Sequence, residues 1–239
     1  MAFETNRPTW AGAATTVSTI DVGLRQHMLR VYNYMASGTL LTGIIAYVVA
    51  NTPSVFNAIF GTPLAWVVML APLGFVLFLS FRIDKIKAST AQALFWAYAA
   101  TMGLSMATIF VAFTGASVAR VFFITAGTFA AMSLYGYTTR RSLANIGSFL
   151  FMGLIGIVIA GLVNMFIHST QLQMIISVVG VLVFVGLTAW DTQRIKEEYS
   201  EFHDRETSGK LAIWGALRLY LDFINLFMML LQLLGQRRD

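Results

Sequence analysis

The chain has no cysteine, only four prolines and few charged residues among its 239 positions. Without cysteine, neither a disulfide nor thiol chemistry is available. Asp, Glu, Lys and Arg together account for 11% of the residues, whereas about a quarter is usual in a soluble domain. Hydrophobic residues account for 57%, and the mean hydropathy is +0.72. This composition excludes an ordinary soluble globular domain.

The charged residues are also confined to short segments. None occurs within four long stretches, which cover residues 31–81, 88–119, 121–139 and 142–190. About 20 apolar residues in a helix cross a bilayer, whereas a β-barrel would alternate polar and apolar residues. We therefore expect an all-α polytopic membrane protein with seven transmembrane helices, over about residues 29–50, 64–81, 90–113, 121–137, 146–167, 172–190 and 212–233. Residues 1–28 would form a cytoplasmic tail and residues 29–239 the seven-helix transmembrane domain.

Lysine and arginine are unevenly distributed about these spans. With a cytoplasmic amino terminus, 12 of them lie on the cytoplasmic side, and only Arg120, Arg237 and Arg238 on the other. Because cytoplasmic loops carry the excess of positive charge, we expect the amino terminus to be cytoplasmic. Arg237 and Arg238 would lie inside only if the last helix were re-entrant. Residues 1–28 lack the apolar segment of a cleavable signal peptide.

The last span combines an apolar composition with polar side chains. Arg218, Asp222 and Asn225 occur at positions i−4, i and i+3, and therefore share one face of a helix. An ionisable side chain at mid-membrane depth costs several kcal/mol, so it usually faces the bundle interior or a water-filled cavity. We therefore expect the other helices to enclose this one.

The sixth helix is expected to continue beyond its apolar part. No glycine or proline occurs between Asp191 and Tyr199, so the helix can pass this segment and turn at residues 205–209. In an antiparallel hairpin that turns there, Asp191 and Asp222 lie about equally far from the turn and can face each other.

Two interpretations of these aspartates follow. Two close carboxylates do not both ionise cheaply, so Asp191 and Asp222 would share a proton and titrate as a unit. Alternatively, Asp191 pairs with Arg194 and Asp222 pairs with Arg218, each within its own helix. The acidic residues that follow Asp191 either collect cations near a pore mouth or form a solvated loop; they are Glu197, Glu198, Glu201, Asp204 and Glu206.

Several classes of function are disfavoured. No residue set resembles a nucleophile–base constellation, a phosphate-binding glycine loop or a zinc motif, so we expect neither an enzyme nor a cofactor. His27, His168 and His203 are scattered over presumed helix ends and loops, which predicts no metal site built from histidine. No basic run is dense enough to indicate nucleic-acid binding.

Four stretches in this order resemble the Bax inhibitor-1 family, whose bacterial members include the YccA-like proteins. They are STAQALF at 89–95, YGYTTRR at 135–141, GLTAWDTQ at 186–193 and LYLDFINLF at 219–227. The resemblance implies seven helices with the last one central. It also implies a hydrogen-bonded aspartate pair at Asp191 and Asp222, with Arg82 as a latch beside it. Arg218, one turn before Asp222, departs from the simplest family pattern because it is placed to neutralise the pair.

The resemblance implies two functions of different classes. The first is a pH-sensitive calcium or cation leak channel of the bacterial inner membrane, gated by the aspartate pair, with calcium able to bind at Asp191 and Asp222. The second is a non-conducting membrane protein that regulates a membrane-bound protease or a stress response. Arg218 and Asn225 would support the aspartate pair in either case. The expected partners are the lipid bilayer, calcium ions and a membrane protease.

Overall fold

The structure is a computed structural model that describes residues 10–238, with side chains from Val22 onward except that of Asp84. Over this range the chain is helical, and the helices are α1 (Trp10–Ala50), α2 (Pro53–Phe60), α3 (Leu64–Arg82), α4 (Ala88–Ala112), α5 (Gly115–Thr138), α6 (Ala144–Ile167), α7 (Thr170–Glu197) and α8 (Arg205–Leu234). All but α2 are long and apolar enough to cross a membrane. The prediction of seven membrane-spanning helices is confirmed.

The first two helices differ in detail from the sequence-based expectation. Helix α1 begins at Trp10 and runs without a break through residue 28, where the predicted tail ends. Its apolar, membrane-length part begins at Val22. The short helix α2 begins at Pro53, whose fixed φ suits the first turn of a helix. The predicted spans leave residues 51–63 outside any helix, so α2 is an element that the sequence did not predict.

Helix α8 is the innermost element, as predicted. It packs against α1, α4, α5 and α7, and it has the largest buried share of the seven spans. Small residues allow this close packing: a Cβ added at Gly215 would lie 3.2 Å from the side chain of Ile195. Ala212 and Ala216 on the same helix are fully buried.

The remaining spans form two groups on either side of α8. Helix α4 packs against α1 and α3 in the first group, and α7 packs against α5 and α6 in the second. Direct contacts between the groups are few, such as those of α4 with α5 and of α1 with α7. Helix α8 therefore provides most of the connection between them.

The connection between α7 and α8 differs from the predicted turn. It covers residues 198–204, and Arg205–Gly209 forms the start of α8 instead. The reason is the cap: Asp204 Oδ1 accepts a hydrogen bond from the Thr207 backbone N–H at 3.0 Å, which starts the helix before Gly209. Because Gly215 lies opposite Ile195, α8 extends about 12 Å beyond the end of α7. The seven connecting residues, 198–204, can span up to about 23 Å and cover this offset.

The carboxyl-terminal segment lies at the opposite end of the bundle from this connection. The Thr114 N–H donates to the Gln236 carbonyl at 2.9 Å, and the Arg238 N–H donates to the Ala112 carbonyl at 3.0 Å. Both bonds hold the segment against the α4–α5 connection. Helix α8 is continuous from Arg205 to Leu234 and is therefore not re-entrant.

Candidate functional site

The structure brings Asp191 on α7 and Asp222 on α8 side by side. Their carboxyl groups lie close enough to interact with each other directly. Both residues are buried, with 7% of Asp191 and 4% of Asp222 exposed. Within the described part of the chain, Oδ2 of Asp222 is buried and has no hydrogen-bond partner. The two aspartates lie together although their distances from the α7–α8 connection are unequal, because α8 overhangs the end of α7.

A close approach of α5 to α7 fixes the backbone next to Asp191. A Cβ added at Gly136 on α5 would overlap the carbonyl oxygen of Ala189 on α7, so only glycine fits at this crossing. Beside it, the hydroxyls of Tyr32 and Ser133 lie 2.6 Å apart, and those of Ser133 and Thr192 lie 3.0 Å apart. These hydroxyls join α1, α5 and α7 next to Asp191.

Arg218 is the cation closest to the aspartate pair. Its Nη1 lies 3.7 Å from Oδ1 of Asp191, and its Nη2 donates a hydrogen bond to Oε2 of Glu198. Only 12% of the Arg218 side chain is exposed. Asp222 is near enough to Arg218 for electrostatic attraction. One guanidinium therefore faces three carboxylates, two of which belong to the aspartate pair.

The ion pairs differ from those that the sequence suggested for the two helices taken separately. Arg194 pairs with Glu198 at 2.9 Å, within its own helix end, and not with Asp191. Arg218 pairs across helices with Asp191 and Glu198. From the sequence, Glu198 was expected either to collect cations near a pore mouth or to lie in a solvated loop, and its role as the second partner of Arg218 was not predicted. The one sequence signal that Glu198 forms an ion pair was its position four residues after Arg194.

Among the described residues, neither Arg82 nor Asn225 makes a hydrogen bond or an ion pair with Asp191 or Asp222. Arg82 lies exposed at the end of α3, and no ion pair joins it to a carboxylate within the described side chains. The latch role of Arg82 stays a prediction. The Asn225 side chain donates to the Leu221 carbonyl of its own helix at 2.8 Å. It therefore satisfies the backbone of α8 rather than a carboxylate.

The end of α7 also holds the α5–α6 connection in place. Gln193 accepts a hydrogen bond from the Leu143 N–H at 2.7 Å and donates one to the Arg141 carbonyl at 2.9 Å. Lys196 donates to the Tyr137 carbonyl at 2.8 Å. The stretches at 135–141 and 186–193 thus meet each other directly, and both border the aspartate pair.

A cavity of about 410 Å³ lies on one side of this network. Ser80, Thr207 and Lys210 belong to its walls, and Glu198 and Arg218 also line it. Neither aspartate does so. Arg218 therefore lies between this cavity and Asp191.

The arrangement is suited to proton sharing and to weak cation binding. Two buried carboxylates in contact retain one proton between them more easily than they bear two charges. Across the side chains described, no group of three or more His, Cys, Asp and Glu residues could hold a metal ion. Since calcium prefers six to eight oxygen ligands, the pair by itself offers only part of a coordination shell. The ring of His27 contacts that of Tyr199, with ring centroids 5.4 Å apart and the ring planes tilted by 40°.

Comparison with known proteins identifies the family. Residues 24–239 match the family described as inhibitor of apoptosis-promoting Bax1. The inner membrane protein YbhL of Escherichia coli K12 is 47% identical over 219 residues, which cover 90% of this chain and 94% of YbhL. The uncharacterized protein RP147 of Rickettsia prowazekii is 48% identical over 221 residues, or 92% of this chain and 94% of that protein. The chain therefore belongs to the Bax inhibitor-1 family of membrane proteins.

Proposed function

We propose that this protein is a pH-sensitive leak channel for cations, including calcium, and that Asp191 and Asp222 control it. The burial of these two carboxyl groups at neighbouring positions of α7 and α8, beside the Arg218 guanidinium, supports the proposal. In the closed state one shared proton bridges the two carboxylates and holds α7 against α8. When that proton is lost, two buried negative charges repel each other and require water, a cation or a guanidinium.

The sign of the pH response follows from this scheme. The shared-proton state gains population as pH falls and is lost as pH rises, so leak increases toward higher pH. Strong acid protonates both carboxylates and weakens the charge-assisted bridge between them. Calcium binds carboxylate oxygens only when they are deprotonated. Raising calcium should therefore move the midpoint of the leak profile to lower pH.

Arg218 completes the proposed mechanism. Its guanidinium lies between the aspartate pair and the cavity lined by Glu198 and Arg218. A cation that enters from this cavity must replace Arg218 beside Asp191. Glu198 can hold the guanidinium after the exchange, because it already accepts a hydrogen bond from Arg218.

We further propose that the protein lies in the bacterial inner membrane, where its relative YbhL is named as an inner membrane protein. The end of the bundle with the α3–α4, α5–α6 and α7–α8 connections carries Arg82, Lys85, Lys87, Arg140, Arg141, Arg194, Lys196, Arg205 and Lys210. The opposite end carries Arg120, Arg237 and Arg238. The positive-inside rule makes the first of these ends cytoplasmic, together with the amino terminus.

Calcium flux into liposomes that contain the purified protein tests the proposal. Flux is measured from about pH 5 to 8 for the parent and for Asp191→Asn, Asp222→Asn and the double variant. We expect each variant to flatten or shift the pH profile. Glu201→Gln is the matched control, because it removes an exposed loop carboxylate outside the network.

Two results would contradict the channel. If all three aspartate variants keep the parent's pH profile, the pair does not gate conduction. If the parent conducts no cation at any pH, the alternative applies, in which the protein regulates a membrane protease or stress response without conducting. Association of the parent with a membrane protease would then be the measurement of choice.

A further inference from the structure

A second cavity, of about 610 Å³, lies between α1 and α5 at the carboxyl-terminal end of the bundle. We call it the α1–α5 cavity. Phe223, Ile224 and Phe227 of α8 line its inner side. Tyr47 of α1 and Phe123 of α5 line its outer side and are 58% and 74% exposed. Since large exposed apolar side chains on membrane spans face lipid, the cavity opens sideways toward the bilayer.

The inner part of the α1–α5 cavity offers nothing to a polar ligand. Thr42 lines it, but its hydroxyl already bonds to the Ala99 carbonyl at 2.8 Å and to the Tyr220 hydroxyl at 2.6 Å. The Thr39 hydroxyl donates to the Met35 carbonyl of its own helix at 2.9 Å. Because these hydroxyls are satisfied within the protein, an apolar chain suits this part of the cavity best.

Positive charge lies at the rim. Arg238 lines the α1–α5 cavity, and its backbone is fixed by the hydrogen bond to the Ala112 carbonyl. Arg120 and Arg237 lie at the same end of the bundle. Every carboxylate whose side chain the structure describes lies at the opposite end or within the bundle. This rim therefore complements an anion and has no described internal counter-ion.

We propose that the α1–α5 cavity binds an anionic phospholipid from the leaflet at the carboxyl-terminal end. One acyl chain occupies the apolar interior, and the phosphate accepts hydrogen bonds from the Arg238 guanidinium, a group that suits phosphate geometry. Cavities of this size, largely apolar with a few polar groups at one end, are typical ligand sites. The proposal does not depend on ion conduction.

Native mass spectrometry of the purified protein in detergent tests this site. The probes are phosphatidylglycerol and phosphatidylcholine with identical acyl chains. We expect the parent to retain phosphatidylglycerol preferentially, and Arg238→Gln to weaken that retention about tenfold through loss of a charged hydrogen bond. Arg237→Gln removes the same charge from a residue that does not line the cavity. It should change retention less than twofold.

A larger side chain inside the α1–α5 cavity tests whether an acyl chain binds there. A Cβ at Gly43, which lines the cavity, meets no atom within 4 Å. Gly43→Leu should therefore fold and displace both lipids. Gly156→Leu on α6 is the control, because that position is equally open but lies outside the cavity. If Gly43→Leu does not fold, Gly115→Leu serves instead, since Gly115 also lines the cavity and has open space.

The proposal is overturned if the parent retains both lipids equally, if Arg237→Gln acts as strongly as Arg238→Gln, or if the filled variant still retains lipid like the parent. It is also overturned if a peptide or a second copy of the chain occupies the cavity instead of lipid. Preferential retention of phosphatidylglycerol that both Arg238→Gln and the filled variant abolish supports it.

Discussion

The guanidinium of Arg218 on α8 lies 3.7 Å from the carboxylate of Asp191 on α7 and also binds Glu198 at the end of α7. This cation belongs to the central helix itself and not to a surrounding one. With only 12% of its side chain exposed, Arg218 neutralises carboxylates that solvent reaches poorly. The charge balance of the site is therefore set within the α7–α8 pair.

Arg218→Gln should destabilise the protein and move the rise in leak to higher pH, because the aspartate pair keeps its shared proton longer without the neighbouring positive charge. Removal of one partner from a largely buried ion pair leaves uncompensated charge and costs about 3 kcal/mol. Arg194→Gln is the control: the Arg194 side chain is 50% exposed, and its pair with Glu198 should be worth about 0.5 kcal/mol. Thermal unfolding in detergent and calcium flux measure the two effects. Equal unfolding temperatures for the two variants would show that Arg218 stabilises nothing at this site.

Arg82→Ala should alter the pH dependence of leak without altering stability, if Arg82 is a latch. Arg82 is exposed, and its removal breaks no ion pair among the described side chains. Its effect must then arise in another conformation, which flux across pH detects. Lys85→Ala removes an exposed positive charge from the same end of the bundle. If Arg82→Ala and Lys85→Ala show the same pH dependence of leak, Arg82 does not act as a latch.

Gly136→Ala should destabilise the fold at the crossing of α5 and α7. The added Cβ would overlap the Ala189 carbonyl oxygen, so the helices must separate, at a cost of about 3 kcal/mol. Gly127→Ala on the same helix has no atom within 4 Å and should gain up to about 1 kcal/mol through helix propensity. The unfolding temperatures of both variants measure this difference. A neutral Gly136→Ala would mean that α5 and α7 do not approach so closely.

Asp204→Ala should lower the unfolding temperature near neutral pH, and this deficit should shrink in acid. Hydrogen bonds from the Thr207 side chain and from the Thr207 backbone N–H lower the pKa of Asp204 below its ordinary value. A lowered folded-state pKa adds stability above the ordinary pKa of about 3.9, and that stability is lost as pH falls through the lowered pKa.

Asp204→Asn provides the control for the cap, because asparagine keeps an acceptor that does not titrate. Its advantage over Asp204→Ala should be independent of pH. Unfolding temperatures measured from about pH 2 to 7 compare the three proteins. A deficit of Asp204→Ala that persists unchanged at the lowest pH would exclude an electrostatic contribution from this cap.

Much of the fold can be predicted from residue patterns in the amino-acid sequence. Helix α7 continues past Trp190 because no residue there interrupts the hydrogen-bond ladder. The polar stripe of α8 predicts its central place, because charged side chains are costly in contact with lipid. Both features depend on local sequence alone.

The errors have two causes, a local helix cap and the offset between two helices. Gly209 suggested a turn, but the Asp204 cap starts α8 earlier, and Gly209 packs instead near Ala88 at the start of α4. The pairing of Arg218 with Glu198 depends on how far α8 slides past α7, which no residue pattern encodes. Tertiary packing sets that offset, and the offset decides which carboxylates share the guanidinium.

The two groups of helices on either side of α8 have a mechanical consequence. Gln193 and Lys196 fasten the α5–α6 connection to α7, so α5, α6 and α7 are linked at one end. Helices α1 and α4 pack closely with each other and touch the other group little. We therefore expect the two groups to move relative to each other most easily by a shear along α8. Such a shear would change the width of the α1–α5 cavity and the contact between Asp191 and Asp222 together.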